Sequence, residues 1–308
     1  MRNEVIILDF RKLKKFLDSL RSEYGITGCD LSVYYNHIYV FRHRAGTSSD
    51  DTGRKVSRKD LYFFHSGAKL ICCVALMQLA EQYKLTLSDK VCSFISGFDE
   101  KVTVKEFISL YSSNLNDENS AYNHKNVVAL IEKASGMDFN EYIVQNITGP
   151  LKMKSTTFEL TEKNKSIIAS QLENGKKTYE EREAAVAEIY TKSNGSLITT
   201  VEDYAILCEV LCNKGEIKRG RRLLSDYSVD TLINGLIYNE TEKEDAYVSV
   251  GYHGNLILID IKKKITIVYA QHKRQPGDNQ HEMYPKLRRL VYECIGVDTW
   301  SRGYNIFN

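Results

Sequence analysis

The sequence has almost no net charge and no long hydrophobic run. Its 42 lysines and arginines nearly balance 40 aspartates and glutamates, which leaves a formal charge of +2. This balance gives no electrostatic basis for binding nucleic acid or an anionic membrane surface. No segment approaches the roughly 20 consecutive apolar residues that a membrane span requires. These absences leave a globular protein of ordinary composition, 43% hydrophobic and 27% charged.

The first residues also lack the features of a secretory signal. Their apolar run, residues 5–8, is short, and charged residues follow it at once. A signal peptide needs roughly 7–15 apolar residues before its cleavage site. We therefore expect a cytoplasmic location.

The sequence contains no cluster of residues spaced as metal ligands. The seven cysteines are odd in number and most lie in apolar runs, which predicts reduced, packed thiols in a reducing compartment. Cys208 and Cys212 stand four apart on a predicted helix, a spacing that a metal pair could use. Because no histidine or further cysteine stands beside them at ligand spacing, core packing is favoured. Neither a metal nor a cofactor is expected.

The apolar periodicity predicts an α+β fold. Helices are expected at residues 10–24, 66–83, 102–111, 125–135, 139–146, 199–213 and 284–295. Strands are expected on both sides of a tight turn at Asn36 and His37, within residues 28–42, and at 246–250, 254–259 and 264–271. This order predicts an antiparallel sheet built from N- and C-terminal segments, flanked by helices, with a helical subdomain inserted.

The length of 308 residues fits one domain with two parts. We assign the sheet subdomain to about residues 1–65 and 215–308. The helical subdomain then covers about residues 66–214. The sequence shows no internal repeat and no low-complexity tract.

A lysine at the start of an apolar helix is the first sign of chemistry, in the stretch "FHSGAKLICCV". Ser66 and Lys69 are three apart, so on a helix they share one face. A helix that is apolar nearly all round is buried, and a buried amine commonly escapes the cost of its charge through a lowered pKa. Such a lysine is a competent general base for a neighbouring hydroxyl. The helix N-terminus would stabilise the developing alkoxide and offer amides to an oxyanion.

A structural interpretation of the same residues stays open. Ser66 could cap the helix, and Lys69 could extend its amine to the surface. The pattern S-x-x-K alone is weak, because average composition gives about one chance match in a chain of this length.

Longer segments carry a resemblance to a known family. The segments "DLYFFHSGAKLICCVALMQLAEQYKLTLSDKV", "VVALIEKASGMDFNEYIVQNITGPLKMKSTTF" and "GYHGNLILIDIKKKITIVYA" follow one another in the order of the serine β-lactamase and penicillin-binding-protein-like family. The sequence resembles the class C β-lactamase and esterase branch over about residues 25–295. The resemblance implies the β-lactamase/transpeptidase-like fold, with Ser66 as nucleophile and Lys69 as its basic partner.

The second motif of that family, Tyr-x-Asn, is altered. Counting back from Ser135 and Gly136 without gaps places Asn119, Ser120 and Ala121 at its position, so the tyrosine is missing there. Tyr122 lies close by, and it would supply the catalytic hydroxyl if the shortened preceding loop has shifted. The alternative is that Tyr122 is a packed or surface tyrosine.

The third motif, Lys-Thr-Gly or His-x-Gly on the strand beside the serine, admits two registers. One places Ser249, Val250 and Gly251 at the motif, and the other uses His253 and Gly254. A histidine there could orient a substrate carbonyl, and a small residue lets the substrate backbone lie against the strand.

Two functions from different classes therefore remain. The first is a serine hydrolase that cleaves an ester or amide through an acyl-enzyme on Ser66. Its partner is a small-molecule ester, amide or peptide-like substrate; nucleic acid and a membrane span are not expected, and the sequence does not fix the oligomeric state. The second is a ligand-binding or sensory module that kept the fold and lost catalysis.

Overall fold

A computed structural model of the chain describes residues 8–48, 53–113, 120–168, 186–187, 197–237, 246–251, 254–272 and 280–297, without the side chains of residues 65, 66, 166–168, 280 and 281. Among these residues, no helix combines the length and apolar character needed to cross a bilayer.

Helices and strands follow the predicted order. The helices are α1 (Arg11–Tyr24), α2 (His65–Glu81), α3 (Val104–Ser113), α4 (His124–Ser135), α5 (Phe139–Ile143), α6 (Gly149–Leu151), α7 (Glu162–Ile168), α8 (Val201–Cys212), α9 (Asp226–Thr231) and α10 (Gln280–Cys294). The strands are β1 (Gly28–Tyr35), β2 (Ile38–Gly46), β3 (Tyr62–Phe63), β4 (Ile198–Thr199), β5 (Glu216–Lys218), β6 (Arg221–Arg222), β7 (Tyr247–Gly251), β8 (Asn255–Asp260) and β9 (Ile265–His272).

The main sheet is antiparallel and joins both ends of the sequence. Its five strands lie in the order β2-β1-β9-β8-β7. Strand β1 pairs with β9 from Gly28 opposite His272 to Tyr35 opposite Ile265. The expected sheet of N- and C-terminal segments is therefore confirmed.

Turn and cap residues set the ends of several elements. Asn36 and His37 both have positive φ angles, 49° and 64°, as a two-residue hairpin turn requires. Gly136 ends α4 in the left-handed conformation with φ of 73°, because glycine adopts that conformation without a steric penalty.

The two faces of the sheet carry separate hydrophobic cores. Helices α1 and α10 cover one face, and the core there includes Leu13, Leu17, Leu20, Leu31, Val33, Ile267, Leu287 and Val291. Helices α2 and α8 pack on the other face, and their core continues into the helical middle of the chain. Helices therefore flank the sheet on both sides, with a helical region inserted between its strands.

The proposed boundaries of the two subdomains stay a prediction. Helix α8, assigned from the sequence to the helical subdomain, packs directly on β1, β8 and β9.

Several helix boundaries differ from the predictions by two or more residues, and three of them are instructive. Helix α3 begins at Val104, not at residue 102, because Thr103 and Glu106 form a reciprocal capping box. Helix α5 ends at Ile143 rather than at residue 146, and a wider π-type turn, Val144–Thr148, leads to Gly149 and Pro150. Helix α10 begins four residues earlier than predicted and contains Pro285. The short strand pair β3 and β4 was not predicted.

Candidate active site

The backbone that enters α2 is fixed before the helix begins. Strand β3 (Tyr62–Phe63) pairs with β4 (Ile198–Thr199). The next residue, Phe64, donates its backbone N–H to the carbonyl of Leu197 at 2.9 Å. The three aromatic side chains of this segment are fully buried, so the start of the helix has a firm support.

Ser66 and Lys69 lie at the N-terminal end of α2. The helix starts at His65, so Ser66 is its second residue and Lys69 follows three positions later. The structure describes the backbone of Ser66 but not its side chain, and the role of Ser66 remains a prediction. Lys69 is half-buried, and the ten residues after it, 70–79, are all buried. The prediction of a buried helix with a lysine in its first turns is confirmed.

A positive charge on Lys69 acts electrostatically on a buried thiol, that of Cys73. Burial raises the pKa of the Cys73 thiol, one turn further along α2, and the positive charge of Lys69 partly offsets that rise. The amine therefore lies within electrostatic range of the helical core.

Gly67 lets helix α8 approach the candidate nucleophile. The hydroxyl of Tyr204, on α8, donates to the carbonyl oxygen of Gly67 at 3.1 Å. A Cβ atom at Gly67 would lie only 3.0 Å from the Tyr204 ring and from Cβ of Phe64. The first turn of α2 is thus held by α8 through close packing and one buried hydrogen bond.

Strand β7 lies at the edge of the main sheet, beside α2. Ser249 pairs with Ile257, and Gly251 pairs with Asn255. Directly paired residues share a face of the sheet, and Ile257 belongs to the core that α2 helps to form. The first register of the third motif therefore places Ser249 and Gly251 on the face toward α2.

The residue between them, Val250, packs on the opposite face with the core of α1 and α10. In the second register, Gly254 lies in the turn after β7, has a φ of 81° and donates its N–H to the carbonyl of Gly251. His253 lies outside the described residues. Both registers remain predictions.

Tyr122 lies in an aromatic cluster of the helical region. Its ring centroid is 6.0 Å from that of Phe98 and 5.8 Å from that of Phe107. It directly precedes Asn123, the residue that caps α4 by accepting a hydrogen bond from the N–H of Asn126. The ring is half-buried, and the catalytic role of its hydroxyl remains a prediction.

Sequence reasoning missed a buried polar cluster behind the start of α2. The Nε2 atom of His272 lies 3.1 Å from the hydroxyl of Tyr62 and 2.9 Å from Oδ2 of Asp60. Arg54 donates to the other carboxylate oxygen of Asp60 at 2.7 Å. Because Asp60 and His272 are distant in the sequence, no local motif could have indicated the pair. The cluster ties the segment before α2 to the last strand of the sheet.

This cluster predicts a pH-dependent contribution to stability. Burial alone would raise the pKa of Asp60, but hydrogen bonds from His272 and Arg54 outweigh it and lower the pKa below its ordinary value. A depressed pKa in the folded state contributes stability that is complete above about pH 4 and is lost as the pH falls through the folded-state pKa. We expect Asp60→Asn to lower the free energy of unfolding by about 3 kcal/mol at pH 7 and by clearly less at pH 3.

Urea unfolding of both proteins across this pH range provides the measurement. Glu100→Gln, which neutralises an exposed carboxylate, is the control and should change stability little at either pH. A difference between wild type and Asp60→Asn that is the same at pH 3 and pH 7 would contradict the electrostatic assignment.

The cysteines are packed as predicted. All seven are free thiols and six are buried, Cys92 being half-buried. Cys208 and Cys212 lie on α8 with almost no exposed surface. Within the described ranges, no group of three or more histidine, cysteine, aspartate or glutamate side chains is placed to hold a metal ion.

Comparison with known structures supports the fold. A D-amino acid amidase from Ochrobactrum anthropi SV3 aligns with a TM-score of 0.70 and 12% identity, over 92% of this chain and 97% of that one. A penicillin-binding protein homologue from Caulobacter crescentus has a TM-score of 0.67 and 14% identity, over 92% and 97%. A beta-lactamase/D-alanine carboxypeptidase from Pseudomonas syringae has a TM-score of 0.67 and 13% identity, over 91% and 97%. At such low identities the likeness establishes the fold alone.

The sequence itself gives the family. No curated protein matches the chain significantly. A family profile described as Beta-lactamase, however, matches residues 13–291, from helix α1 to helix α10. This match covers most of the chain, so the protein belongs to the Beta-lactamase family.

Proposed function

We propose that this protein is a serine hydrolase that cleaves an ester or amide bond through an acyl-enzyme on Ser66, with Lys69 as the base. The supporting observation is the position of the two residues, three apart in the first turns of a helix whose residues 70–79 are all buried. Hydrolase chemistry agrees with the family, and with relatives of the same fold described as an amidase and a carboxypeptidase.

The proposed reaction begins with attack by the Ser66 hydroxyl. Its oxygen adds to the carbonyl carbon of the substrate, and its proton passes to the amine of Lys69, which must be in its neutral form at this step to accept it. Collapse of the tetrahedral intermediate breaks the C–O or C–N bond, and the leaving group takes up a proton. Water then attacks the acyl group, releases the acid and restores the serine.

The developing oxyanion would be bound by backbone N–H groups. The first N–H groups of a helix have no intrahelical acceptor, and those at the start of α2 lie beside the nucleophile. Strand β7 is an edge strand of the described sheet, so its outward N–H groups are not used by a neighbouring strand there. Hydrogen-bond donors that are already in position before the reaction commonly make the largest single contribution to stabilising the transition state of acyl transfer.

The substrate would lie along β7. Ser249 and Gly251 face α2 on this strand, and the substrate backbone would run along the outer edge of β7, where no strand of the described sheet pairs. Gly254 lies in the turn that follows, and His253, the alternative third-motif residue, precedes it in the sequence. Tyr122 is our candidate for delivering the proton to the leaving group, because the position expected for the family tyrosine carries none.

A covalent probe tests this proposal directly. We expect a fluorophosphonate to form a stable adduct on Ser66, detected as an increase in intact mass and located by peptide mapping. A penicillin, tested separately, would report on β-lactam recognition. Ser66→Ala should abolish the fluorophosphonate adduct.

Ser88→Ala, which removes an exposed hydroxyl after α2, is the matched control and should be labelled like wild type. Circular dichroism would establish that each variant is folded. Absence of an adduct in folded wild-type protein, with either reagent, would count against catalysis.

A ligand-binding module is the second candidate. The observation that favours it is the aromatic packing of Tyr122 against Phe98 and Phe107, together with the missing family tyrosine. A binding module would be stabilised by a ligand without turning it over, so a rise in melting temperature without product formation would distinguish it from an enzyme.

A further inference from the structure

Asn255 connects the edge of the sheet to the segment that leads into α2. It is the first residue of β8 and is completely buried. Its Nδ2 atom donates to the backbone carbonyl of Phe63 at 2.8 Å. Phe63 stands three residues before Ser66, so this hydrogen bond restrains the backbone segment that leads to the candidate nucleophile.

The other end of the same side chain lies over β7. A Cβ atom at Gly251 would be only 1.9 Å from Oδ1 of Asn255, so the amide occupies the space that a side chain at position 251 would need. A carbonyl oxygen can only accept a hydrogen bond. The NH2 group must therefore face Phe63, and this orientation directs Oδ1 toward Gly251.

Burying this amide has a cost that packing does not explain. Oδ1 of Asn255 is buried and makes no hydrogen bond within the described residues, and an unsatisfied buried acceptor is unfavourable. An apolar side chain would fill the same space without that penalty. The amide instead lies between two backbone segments: it donates to the one that enters α2 and packs against Gly251 on β7.

We infer that Asn255 is a positioning residue that sets the separation between β7 and the start of α2. Its effect on catalysis rests on the proposed function, because β7 is the proposed substrate strand and α2 carries the proposed nucleophile. Its effect on the geometry at the start of α2 is independent of the proposed function. The two consequences can therefore be measured separately.

Gln271 provides a matched control for the loss of a buried amide. It is completely buried on β9, its Oε1 accepts a hydrogen bond from the Tyr269 hydroxyl, and its Nε2 makes none within the described residues. Its neighbour Tyr269 belongs to the core on the opposite face of the sheet, away from α2. The Gln271 side chain also packs against Gly254, in the turn after β7. Gln271→Ala should thus reproduce the general cost of deleting a buried amide near this end of the sheet, without removing a hydrogen bond to the segment that enters α2.

Hydrogen exchange tests the geometric part of the inference. In Asn255→Ala we expect the backbone amides of residues 63–68 to exchange about tenfold faster than in wild type, because a buried hydrogen bond that restrains them is lost. Gln271→Ala should leave these amides at the wild-type rate. Equal exchange of this segment in both variants would overturn the inference. If Asn255→Ala does not fold, Asn255→Leu keeps most of the volume without the donor and takes its place.

Acylation kinetics test the catalytic part. With the fluorophosphonate, we expect Asn255→Ala to lower the maximal rate of labelling of Ser66 by about tenfold or more, with little change in the concentration for half-maximal rate. A small displacement of a nucleophile can cost up to about 10²-fold in rate. Gln271→Ala, assayed at a temperature equally far below its own melting temperature, should be labelled at close to the wild-type rate. Equal slowing of Gln271→Ala and Asn255→Ala would overturn a positioning role. If wild type is not labelled, the proposed function fails, whereas the exchange result still decides the inference.

Discussion

Replacing Lys69 by alanine is expected to slow the acylation of Ser66 by about 10²–10⁴-fold, the usual contribution of a general base. The fold should be retained, because the change removes a charged side chain from a helix that is otherwise buried. The measurement is the rate of fluorophosphonate labelling, followed by intact mass, together with thermal unfolding of each variant.

Lys69→Arg distinguishes a role of Lys69 as a base from a role as a positive charge alone. Arginine keeps the charge at any accessible pH but cannot accept a proton, so it should be as inactive as the alanine variant. Lys105→Ala, on the exposed side of α3, is the matched control and should be labelled at the wild-type rate. Labelling of Lys69→Ala at the wild-type rate would show that Lys69 is not the base.

Gly251→Ala is expected to lower the stability of the protein by close packing alone. The new Cβ atom would lie 1.9 Å from Oδ1 and 2.6 Å from Cγ of Asn255, far inside van der Waals contact. Overpacking of a buried site costs about 1–3 kcal/mol, and the rigid strand pairing around both residues favours the upper end of that range. Urea denaturation would measure the loss.

A double-mutant cycle identifies the cause. In the Asn255→Ala background the obstructing amide is absent, so Gly251→Ala should cost less than about 1 kcal/mol there. The resulting coupling should be roughly 1–2 kcal/mol. Strictly additive effects would show that the glycine is needed for another reason, such as the backbone geometry of β7.

The elements with strong local signals could be predicted from the sequence. Helix α1 has its apolar residues on one stripe, and the hairpin of β1 and β2 turns at Asn36 and His37 as expected. Helix α4 ends at Gly136, where the sequence has its stop signal. These features depend on neighbouring residues, and local patterns therefore specify them.

The features that sequence reasoning missed depend on distant partners. Strands β3 and β4 are two residues long and have no period that a pattern could show. Residues Asp60 and His272 meet only because the first and last parts of the chain form one fold. The start of α3, after its capping residue Thr103, does not depend on distant partners. The capping box is present in the sequence as "TVKE" and could have been used to predict this boundary.

The candidate site shows the same division. Ser66 and Lys69 are related by helical spacing, which a sequence displays directly. Gly251 and Asn255 are close because of a strand pairing, and the hydrogen bond of Asn255 to Phe63 crosses nearly two hundred residues. No tyrosine stands at the position obtained by counting back from Gly136, so whether Tyr122 replaces it could not be decided from spacing.

The pairing of β1 with β9 has a consequence for biosynthesis. The neighbouring strands β1 and β9 are separated by more than two hundred residues of sequence, so β1 cannot gain its inner neighbour until all of those residues have been made. During translation, the hairpin of β1 and β2 exposes an unpaired edge and an uncovered apolar face, both of which promote aggregation. The hairpin must therefore be protected while this long stretch is made, and the yield of folded protein in the cell should depend on chaperones more than its stability alone would indicate.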